Sequence, residues 1–286
     1  MARILITGAN GFIGNQLVRV LEEGHEIFGL VRKISNQINS HKMHWIEQDL
    51  ARPLDRTRLP EHVDVIIHLA QSKLYRQFPE GARDIFDINL QSTFQLLEYG
   101  RERRISHFIF SSSGGLYGYS YEKFVETDPV SPLNFYLSSK QAAELLIANY
   151  RQFFYTVVFR FFFVYGPGQK GMLIPNLLNR VLSGETITIE GDPGLRINPI
   201  YIEDAIRVFE PALDLRGSDL FNVAGDENVT ITDLVKLMEK VSGKKALIKH
   251  TDNDPHGDLI GDNTRMKEVL SVYPQTPILE GLSHML

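Results

Sequence analysis

A glycine pattern between a strand and a helix, close to the N-terminus, constrains the fold of this chain more than any other feature. The first residues, MARILITGANGFIG, place Gly8, Gly11 and Gly14 in the spacing G-x-x-G-x-x-G. The apolar run RILIT (3–7) predicts a strand before the glycines, and the segment near 12–23 predicts a helix after them. Such glycines let the backbone approach a pyrophosphate at the helix N-terminus, which favours a dinucleotide-binding fold. The alternative is a tight turn without a ligand.

Short apolar runs alternate with helical patterns through the first two-thirds of the chain. Further strands are predicted at 26–31, 63–69, 107–112 and 155–161, and further helices near 82–100 and 136–150. Runs that are apolar almost throughout suit strands that helices cover on both faces. Strands that alternate with helices predict an α/β fold with a Rossmann-type, doubly wound parallel sheet.

The pattern changes after VYGPGQ, where shorter strands and helices follow. We expect an NAD(P)-binding Rossmann domain made of 1–166 plus about 196–225. A smaller, discontinuous C-terminal substrate-binding lobe is expected from about 167–195 plus 226–286. The Pro-rich last forty residues predict loops with little regular structure.

Composition excludes several classes of function. The chain has 286 residues, no cysteine and a formal net charge of −5. Without cysteine there are no disulfides, thiolate ligands or cysteine nucleophiles, and no histidine spacing indicates a metal site. The acidic balance argues against nucleic acid or an anionic membrane as a partner. We expect a cytoplasmic protein, because no signal peptide is evident and the most apolar stretch (153–165) is too short to span a bilayer.

A tyrosine and a lysine lie one helical turn apart in NFYLSSK (134–140). On a helix, Tyr136 and Lys140 share one face. A phenol has a pKa of about 10, and a nearby cation lowers it, so Tyr136 would be able to exchange a proton with a hydroxyl or carbonyl group. A surface pair without function is the alternative. The serine run 111–113 favours the catalytic interpretation, because it lies at the carboxyl end of the predicted strand 107–112, where open α/β sheets bind ligands.

The residues after the second strand bear on the choice of cofactor. An acidic side chain there binds the ribose hydroxyls of NAD, but EIFGLVRK has Val31 followed by Arg32 and Lys33. Because a cation stands there and the carboxylate is missing, this sequence favours the 2′-phosphate of NADP over NAD. The alternative interpretation is that Arg32 is a solvated arginine without a role in binding. Asp49, after the next short strand, would reach the adenine amine or form a turn or cap.

Eight segments, spread in order over nearly the whole chain, carry a family resemblance. They are TGANGFIG, HLAQ, NLQSTFQLLE, FSSSGGLYG, ETDPVSPLNFYLSSKQAAE, RFFFVYGPGQ, NPIYIEDA and FNVAG. With these segments the chain resembles the extended short-chain dehydrogenase/reductases, specifically the NAD(P)-dependent sugar-nucleotide epimerase/dehydratase family. The resemblance implies a homodimeric epimerase or keto reductase that transfers a hydride at a carbinol or keto carbon of a nucleotide-linked sugar. The alternatives are an NADP-dependent reductase of a smaller hydroxy or keto substrate and a non-catalytic NADP-binding module.

The resemblance also implies roles for individual residues. Tyr136 would be the acid/base, Ser113 would orient the substrate oxygen, and Lys140 would bind the nicotinamide ribose and lower the pKa of Tyr136. With the arguments above, the expected cofactor-binding residues are Gly8, Asn10, Gly11, Phe12, Ile13, Gly14, Arg32, Asp49, Leu50, Leu69, Ala70, Gln71, Asn89, Ser111, Tyr136 and Lys140. The expected substrate-binding residues are Gln71, Ser113, Gly114, Tyr136, Phe163 and Arg196.

Three departures from the pattern that the resemblance sets are evident. Gly114 and Gly115 stand where dehydratases of the family often carry an Asp-Glu pair, which argues against a dehydratase. Phe163 stands where an asparagine often contacts the substrate. Ile197 stands where an arginine often holds the sugar-nucleotide diphosphate, and Arg196 next to it would substitute by turning inward.

Overall fold

The computed structural model describes residues 1–34, 41–253 and 257–286, and contacts divide the chain into two compact units. The first unit consists of Met1–Leu116, Ser131–Arg160 and Phe209–Phe221, and the second of Tyr117–Val130, Phe161–Val208 and Asn222–Leu286. These boundaries differ from the predicted ones in two places. Residues 117–130 lie in the second unit, and of the predicted stretch 196–225 only 209–221 lies in the first unit. The binding roles assigned to the two predicted domains stay a prediction.

Both units contain strands and helices. In the described residues the strands are β1 (Arg3–Thr7), β2 (Glu26–Val31), β3 (Met43–Glu47), β4 (Val65–His68), β5 (His107–Ser113), β6 (Tyr155–Phe161), β7 (Thr186–Glu190), β8 (Arg196–Ile197), β9 (Asp219–Val223), β10 (Val229–Thr230) and β11 (Leu247–Thr251). The helices are α1 (Phe12–Leu21), α2 (Ala82–Ile85), α3 (Ser92–Arg103), α4 (Phe135–Asn149), α5 (Leu173–Ser183), α6 (Ile202–Ile206), α7 (Phe209–Ala212), α8 (Ile231–Ser242), α9 (Thr264–Leu270) and α10 (Ile278–Ser283).

The first unit is built on a sheet with the strand order β3-β2-β1-β4-β5-β6-β9, of which the last residues of β6 and β9 belong to the second unit. The pairs β1–β2, β1–β4, β2–β3 and β4–β5 are parallel. Ile4, Leu5 and Ile6 of β1 are fully buried, as expected for a strand between two helical layers. The order β3-β2-β1-β4-β5-β6 is that of doubly wound dinucleotide-binding sheets, so the predicted fold class is confirmed.

One predicted helix is not regular. The helical pattern near 82–100 becomes α2 and α3 joined by a π-helical segment, Phe86–Gln91. Wide turns of this kind occur mostly as short insertions in α-helices and often at functional sites. The segment carries the buried polar residues Asp87 and Asn89, and Asn89 takes part in the site described below.

The second unit contains two small sheets, the antiparallel pair β8–β10 and the parallel pair β7–β11. The prediction of little regular structure in the last forty residues is wrong, because β11, α9 and α10 lie there. Pro277 is the N-cap residue of α10, so it precedes the helix and removes none of its backbone hydrogen bonds. Met266 of α9 and Leu282 of α10 are completely buried, so packing stabilises these short helices. Within the described ranges, no helix is long and apolar enough to cross a membrane.

Candidate active site

The glycine turn between β1 and α1 is closely packed against backbone. Gly8 has φ = 67°, a left-handed conformation that favours glycine. A Cβ added at Gly14 would lie 2.2 Å from the Gly8 carbonyl oxygen and 2.8 Å from Ala9 Cα. Gly11 is the N-cap residue of α1 and has no side chain to cap the first N–H groups. These groups are therefore available to an anion at the helix N-terminus.

The other residues of the first strands and helix that are predicted to bind the cofactor differ in their exposure. Asn10 is exposed, while Phe12 and Ile13 are half-buried at the start of α1. Arg32 is exposed directly after β2, and Leu50 is buried. The Asp49 carboxylate accepts a hydrogen bond from the Ala51 backbone N–H at 3.1 Å, so the structure gives Asp49 the turn-forming contact that was its alternative.

Polar contacts bind the carboxyl ends of β1 and β4 together, where the strand order reverses direction. The Thr7 hydroxyl is 2.7 Å from His68 Nδ1 and accepts a hydrogen bond from the Ala70 N–H at 3.2 Å. On the other side of the ring, His68 Nε2 is 3.0 Å from the Thr93 hydroxyl. Burial, with the charge of Lys140 as a second cause, lowers the pKa of His68 to about 3, so this imidazole is neutral. The bonds fix the course of the chain through Leu69 and Ala70.

Tyr136 and Lys140 lie in the first turns of α4, as the spacing predicts. Asn134 caps this helix, since its Oδ1 accepts a hydrogen bond from the Leu137 N–H at 2.9 Å. Lys140 is 1% exposed, and its Nζ donates to the Ser111 carbonyl oxygen at 2.7 Å. The same Nζ is 6.0 Å from the centroid of the Tyr136 ring. The lysine therefore connects α4 to the end of β5.

Burial shifts the pKa of both members of the pair. It raises the pKa of the half-buried Tyr136, and Tyr75 is a smaller cause in the same direction. It lowers the pKa of Lys140 to about 7, although Glu144 opposes the shift. Loss of hydration decides the direction of the Tyr136 shift in this structure. The expectation that Lys140 lowers the pKa of Tyr136 stays a prediction.

The serine run at the end of β5 divides into two environments, because successive side chains of a strand point to opposite faces. Ser112 is buried, and its hydroxyl donates to Glu144 Oε1 at 2.5 Å. Glu144 in turn pairs with the buried Arg160 at 2.6 Å. Ser113 is half-buried, and its Oγ accepts a hydrogen bond from the Gly115 N–H at 3.2 Å. The Ser112 hydroxyl is therefore used in a buried contact with Glu144. Ser113, beside the buried Gly114, is the serine whose hydroxyl we assign to the candidate site.

A chain of hydrogen bonds that the sequence did not reveal links Asn89 to α4. Asn89 Nδ2 donates to the Ser139 hydroxyl at 2.9 Å, and that hydroxyl donates to the Tyr136 carbonyl oxygen at 2.6 Å. Asn89 Oδ1 accepts a hydrogen bond from the Ser72 N–H at 2.9 Å. The serine between Tyr136 and Lys140 in YLSSK was the available signal for Ser139, whereas nothing in the sequence marks Ser72.

Two residues of the predicted substrate site, Phe163 and Arg196, lie in the second unit. Phe163 has φ = 46°, which is unusual for a bulky residue, and packs against a cluster that includes Phe162 and Leu259. Ile197 is completely buried. Arg196 is exposed, with its Nε 3.9 Å from Asp258 Oδ2. The inward turn proposed for Arg196 is therefore not seen, because neighbouring residues of a strand face opposite sides.

The described part of the chain contains no group of three or more side chains that could hold a metal ion. Comparisons with known proteins add to this geometry. The sequence model of the NAD dependent epimerase/dehydratase family matches residues 4–224. YtcB of Bacillus subtilis, described as an uncharacterized UDP-glucose epimerase, is 31% identical over 310 residues, covering 99% of this chain and 96% of that protein.

Two further proteins extend the comparison. The dTDP-4-dehydro-6-deoxy-D-allose reductase of Streptomyces bikiniensis is 30% identical, covering 98% of this chain and 93% of that protein. The UDP-glucuronic acid 4-epimerase of Bacillus cereus, solved in complex with UDP-glucuronic acid and NAD, is 26% identical with a TM-score of 0.88. That alignment covers 99% of this chain and 97% of the solved chain.

The strand order, the glycine turn and the Tyr136–Lys140 pair define the class of the protein as an extended short-chain dehydrogenase/reductase. Within that class, the chain belongs to the NAD dependent epimerase/dehydratase family, whose model covers most of its length. The family membership predicted from the eight sequence segments is confirmed.

Proposed function

We propose that this protein is an NAD(P)-dependent enzyme that transfers a hydride at a carbinol or keto carbon of a nucleotide-linked sugar, as an epimerase or a keto reductase. The observation that carries the proposal is the placement of Tyr136 one turn from the buried Lys140, whose Nζ bonds the carbonyl oxygen of Ser111, two residues before Ser113. Relatives named as UDP-sugar epimerases and a dTDP-keto-sugar reductase support the substrate class.

The glycine turn fits a dinucleotide cofactor. Gly8 and Gly14 allow the backbone of the turn to pack so closely that an added Cβ would collide with it, and the first N–H groups of α1 follow Gly11 without a side-chain cap. These groups would hold the pyrophosphate, Lys140 would bind the nicotinamide ribose, and Leu69 and Ala70 would line the cofactor. The nicotinamide supplies the chemistry of a reversible hydride acceptor.

The residues of this chain would move the proton and orient the substrate. For reduction, the Tyr136 hydroxyl would give its proton to the keto oxygen, and a reduced nicotinamide would supply the hydride for the carbon of the same carbonyl group. For oxidation both transfers run in reverse, and the Tyr136 phenolate takes the proton of the substrate hydroxyl. The raised pKa of Tyr136 favours the protonated, donating form in the free protein. Ser113 Oγ would donate a hydrogen bond to the reacting oxygen, and the Lys140 ammonium would stabilise the phenolate.

The finer choice of cofactor is NADP. Exposed Arg32 after buried Val31 supports it, since Val31, Arg32 and Lys33 bring no carboxylate to the end of β2. The solved Bacillus cereus relative holds NAD, so NAD is the competing cofactor. Calorimetry with both dinucleotides tests the choice: Arg32→Ala should remove a preference for NADP, and Arg19→Ala, at an exposed arginine of α1, should keep it. Tighter binding of NAD by the wild type would overturn this choice.

A homodimer and a cytoplasmic location are further parts of the proposal. The dimer is supported by large apolar side chains exposed on helical segments of the first unit: Phe86 in the π-helical segment, Phe94 on α3 and Leu145 on α4. Light scattering should give the mass of two chains for the wild type. Phe94→Arg should lower that mass toward 32.6 kDa, the mass of one chain. A monomeric wild type would refute the dimer.

The reaction itself is tested with a panel of UDP- and dTDP-linked sugars and their keto forms. Each is incubated with the protein and oxidised or reduced cofactor, and products are identified by NMR. We expect an epimer or a reduced sugar from at least one nucleotide sugar, and none from Tyr136→Phe under the same conditions. Conversion of only non-nucleotide substrates, or equal conversion by the variant, would contradict the proposal.

A further inference from the structure

Gln71 holds the hydroxyl of Tyr136 in this structure. The hydroxyl donates a hydrogen bond to Gln71 Oε1 at 2.9 Å. Gln71 is exposed and Tyr136 is half-buried, so the glutamine is more accessible to solvent than the tyrosine. Glutamine is the first residue after the HLA segment at the end of β4, where the chain leaves the sheet.

The same buried residue fixes both partners of this hydrogen bond. Asn89 accepts from the N–H of Ser72, the residue after Gln71, and donates to the hydroxyl of Ser139. The Ser139 hydroxyl donates to the carbonyl oxygen of Tyr136. A closed set of contacts therefore runs from Gln71 through Ser72, Asn89 and Ser139 to Tyr136 and back through the phenol to Gln71. Asn89 is 1% exposed, so the set has a rigid centre.

In the described part of the chain, the Tyr136 phenol has its hydrogen bond to Gln71, and the other groups near it contact its ring. The ring of Tyr75 packs against the ring of Tyr136, with centroids 5.4 Å apart. The guanidinium of Arg76 lies 5.1 Å from the Tyr75 ring. The ammonium of Lys140 is 6.0 Å from the Tyr136 ring and is bonded to the Ser111 carbonyl oxygen.

A carboxamide differs from other side chains of this size in the partners it accepts. Its oxygen accepts a hydrogen bond and its NH₂ group donates one, and a half-turn of the amide exchanges the two. A phenol donates a hydrogen bond, whereas a phenolate only accepts. One glutamine is therefore able to bond the tyrosine before and after proton transfer, whereas an ionised carboxylate bonds only the phenol.

We propose that Gln71 is a positioning residue that holds Tyr136 in both of its protonation states, with Oε1 accepting from the phenol and Nε2 donating to the phenolate after the amide rotates. This inference rests on the proposed function, because it needs Tyr136 as the acid/base. It assigns to Gln71 a contact with the acid/base in place of a contact with the substrate or the cofactor.

Three variants test this role. Gln71→Leu removes both the donor and the acceptor and should lower kcat by about two- to tenfold, the fold-change that corresponds to one hydrogen bond, with little change in KM. Gln71→Glu keeps the acceptor and adds a charge that opposes the phenolate. The limb of its pH–rate profile that reports Tyr136 should therefore move to higher pH in either direction of the reaction. Gln77→Leu, at an exposed glutamine of the same loop, is the control and should match the wild type.

A second measurement does not depend on turnover. Isotope-labelled tyrosine gives an NMR signal for each ring, and Tyr136→Phe identifies the signal of Tyr136 by its loss. We expect this signal to titrate at higher pH in Gln71→Glu than in the wild type and to be unchanged in Gln77→Leu.

The outcomes separate the two proposals. Unchanged kcat, pH profile and tyrosine titration in both Gln71 variants, with an inactive Tyr136→Phe, would overturn the role of Gln71 alone. A rise in KM at constant kcat in Gln71→Leu would overturn it as well, since that pattern indicates a substrate contact. An active Tyr136→Phe would instead overturn the proposed function.

Discussion

The two units treat their predicted site residues in opposite ways. In the first unit, Tyr136, Lys140 and Asn89 are each held by hydrogen bonds of 2.9 Å or less to neighbouring polar atoms. In the second unit, Phe163 packs in an apolar cluster and Arg196 is exposed beside Asp258. We infer that the first unit preserves the reaction of the family, while the second departs from it in the contacts that select a substrate.

The first prediction has the largest expected effect and tests the first unit's side of the comparison. Tyr136→Phe removes one hydroxyl and leaves the ring in place, so the protein should fold and bind cofactor. Because general acid/base catalysis contributes roughly 10²–10⁴-fold, kcat should fall by that factor. Steady-state kinetics on a substrate found in the panel, together with calorimetry for the cofactor, check it. Wild-type turnover of this variant would show that Tyr136 is not the general acid/base.

The second prediction concerns the glycine turn. Gly14→Ala places a Cβ 2.2 Å from the Gly8 carbonyl oxygen, so the turn must move. We expect the free energy of unfolding to fall by about 1–3 kcal/mol and cofactor affinity to fall with it. Chemical denaturation and calorimetry measure the two quantities.

Gly24→Ala is the matched control for that substitution, since an added Cβ there would meet nothing within 4 Å. It should leave stability and cofactor affinity near those of the wild type. Equal effects of the two substitutions would mean that the close packing of the turn does not matter.

The third prediction follows from the buried histidine at the end of β4. In the folded protein the pKa of His68 is lowered from 6.5 to about 3, so the unfolded chain takes up a proton first as the pH falls. Its contribution to stability is therefore present above pH 6.5 and is lost between pH 6.5 and about 3. One such group adds a slope of at most about 1.4 kcal/mol per pH unit.

Denaturation at a series of pH values checks the slope. His68→Gln should flatten the dependence of the unfolding free energy on pH in this range, while His62→Gln, at an exposed histidine, controls for the substitution. If the slopes of His68→Gln and the wild type coincide, burial of His68 does not make folding sensitive to acid.

The fourth prediction has the smallest expected effect on stability and sharpens the second unit's side of the comparison. Phe163→Asn loses apolar contacts but gains a residue that tolerates the left-handed backbone, so the two effects oppose each other. We expect a change in unfolding free energy below about 1.5 kcal/mol, whereas truncating a buried phenylalanine costs about 3–5 kcal/mol. Phe162→Asn, at a side chain that is 1% exposed, is the control and should show the larger loss.

The same variant probes substrate choice. If the phenyl ring of Phe163 takes the place of a polar contact with the substrate, Phe163→Asn should bind nucleoside diphosphate sugars more tightly than the wild type in a calorimetric titration. Unchanged affinities for the whole panel would show that Phe163 does not select the substrate. They would also contradict the inference that the second unit differs from the family in its substrate contacts.

Local patterns in the sequence were sufficient for the first unit's framework. The glycine spacing before α1 and the Tyr136–Lys140 spacing on α4 are short-range features, and both are found where they were predicted. The fold class followed from alternating strands and helices, because β1, β2, β4, β5 and β6 are short, mainly apolar runs that each give a signal.

Features that depend on distant contacts could not be predicted. The link from Ser72 through Asn89 to Ser139 joins three separate segments, and a π-helical turn of the backbone carries its centre. The pKa directions of Tyr136 and Lys140 follow from burial, which the spacing of two residues does not reveal. Strands of two residues, such as β8 and β10, are too short to give a periodic signal.

Our main inference is that Tyr136 would exchange the proton of the sugar hydroxyl, while a bound nicotinamide would accept the hydride from the same sugar carbon. Rapid mixing of the protein, loaded with oxidised cofactor, with the nucleotide sugar that it converts tests this most directly through the near-ultraviolet absorbance of reduced nicotinamide. We expect a rise in absorbance that is slower when the reacting carbon carries deuterium and that is absent in Tyr136→Phe. Conversion of the sugar with no rise in absorbance and no effect of deuterium would contradict it.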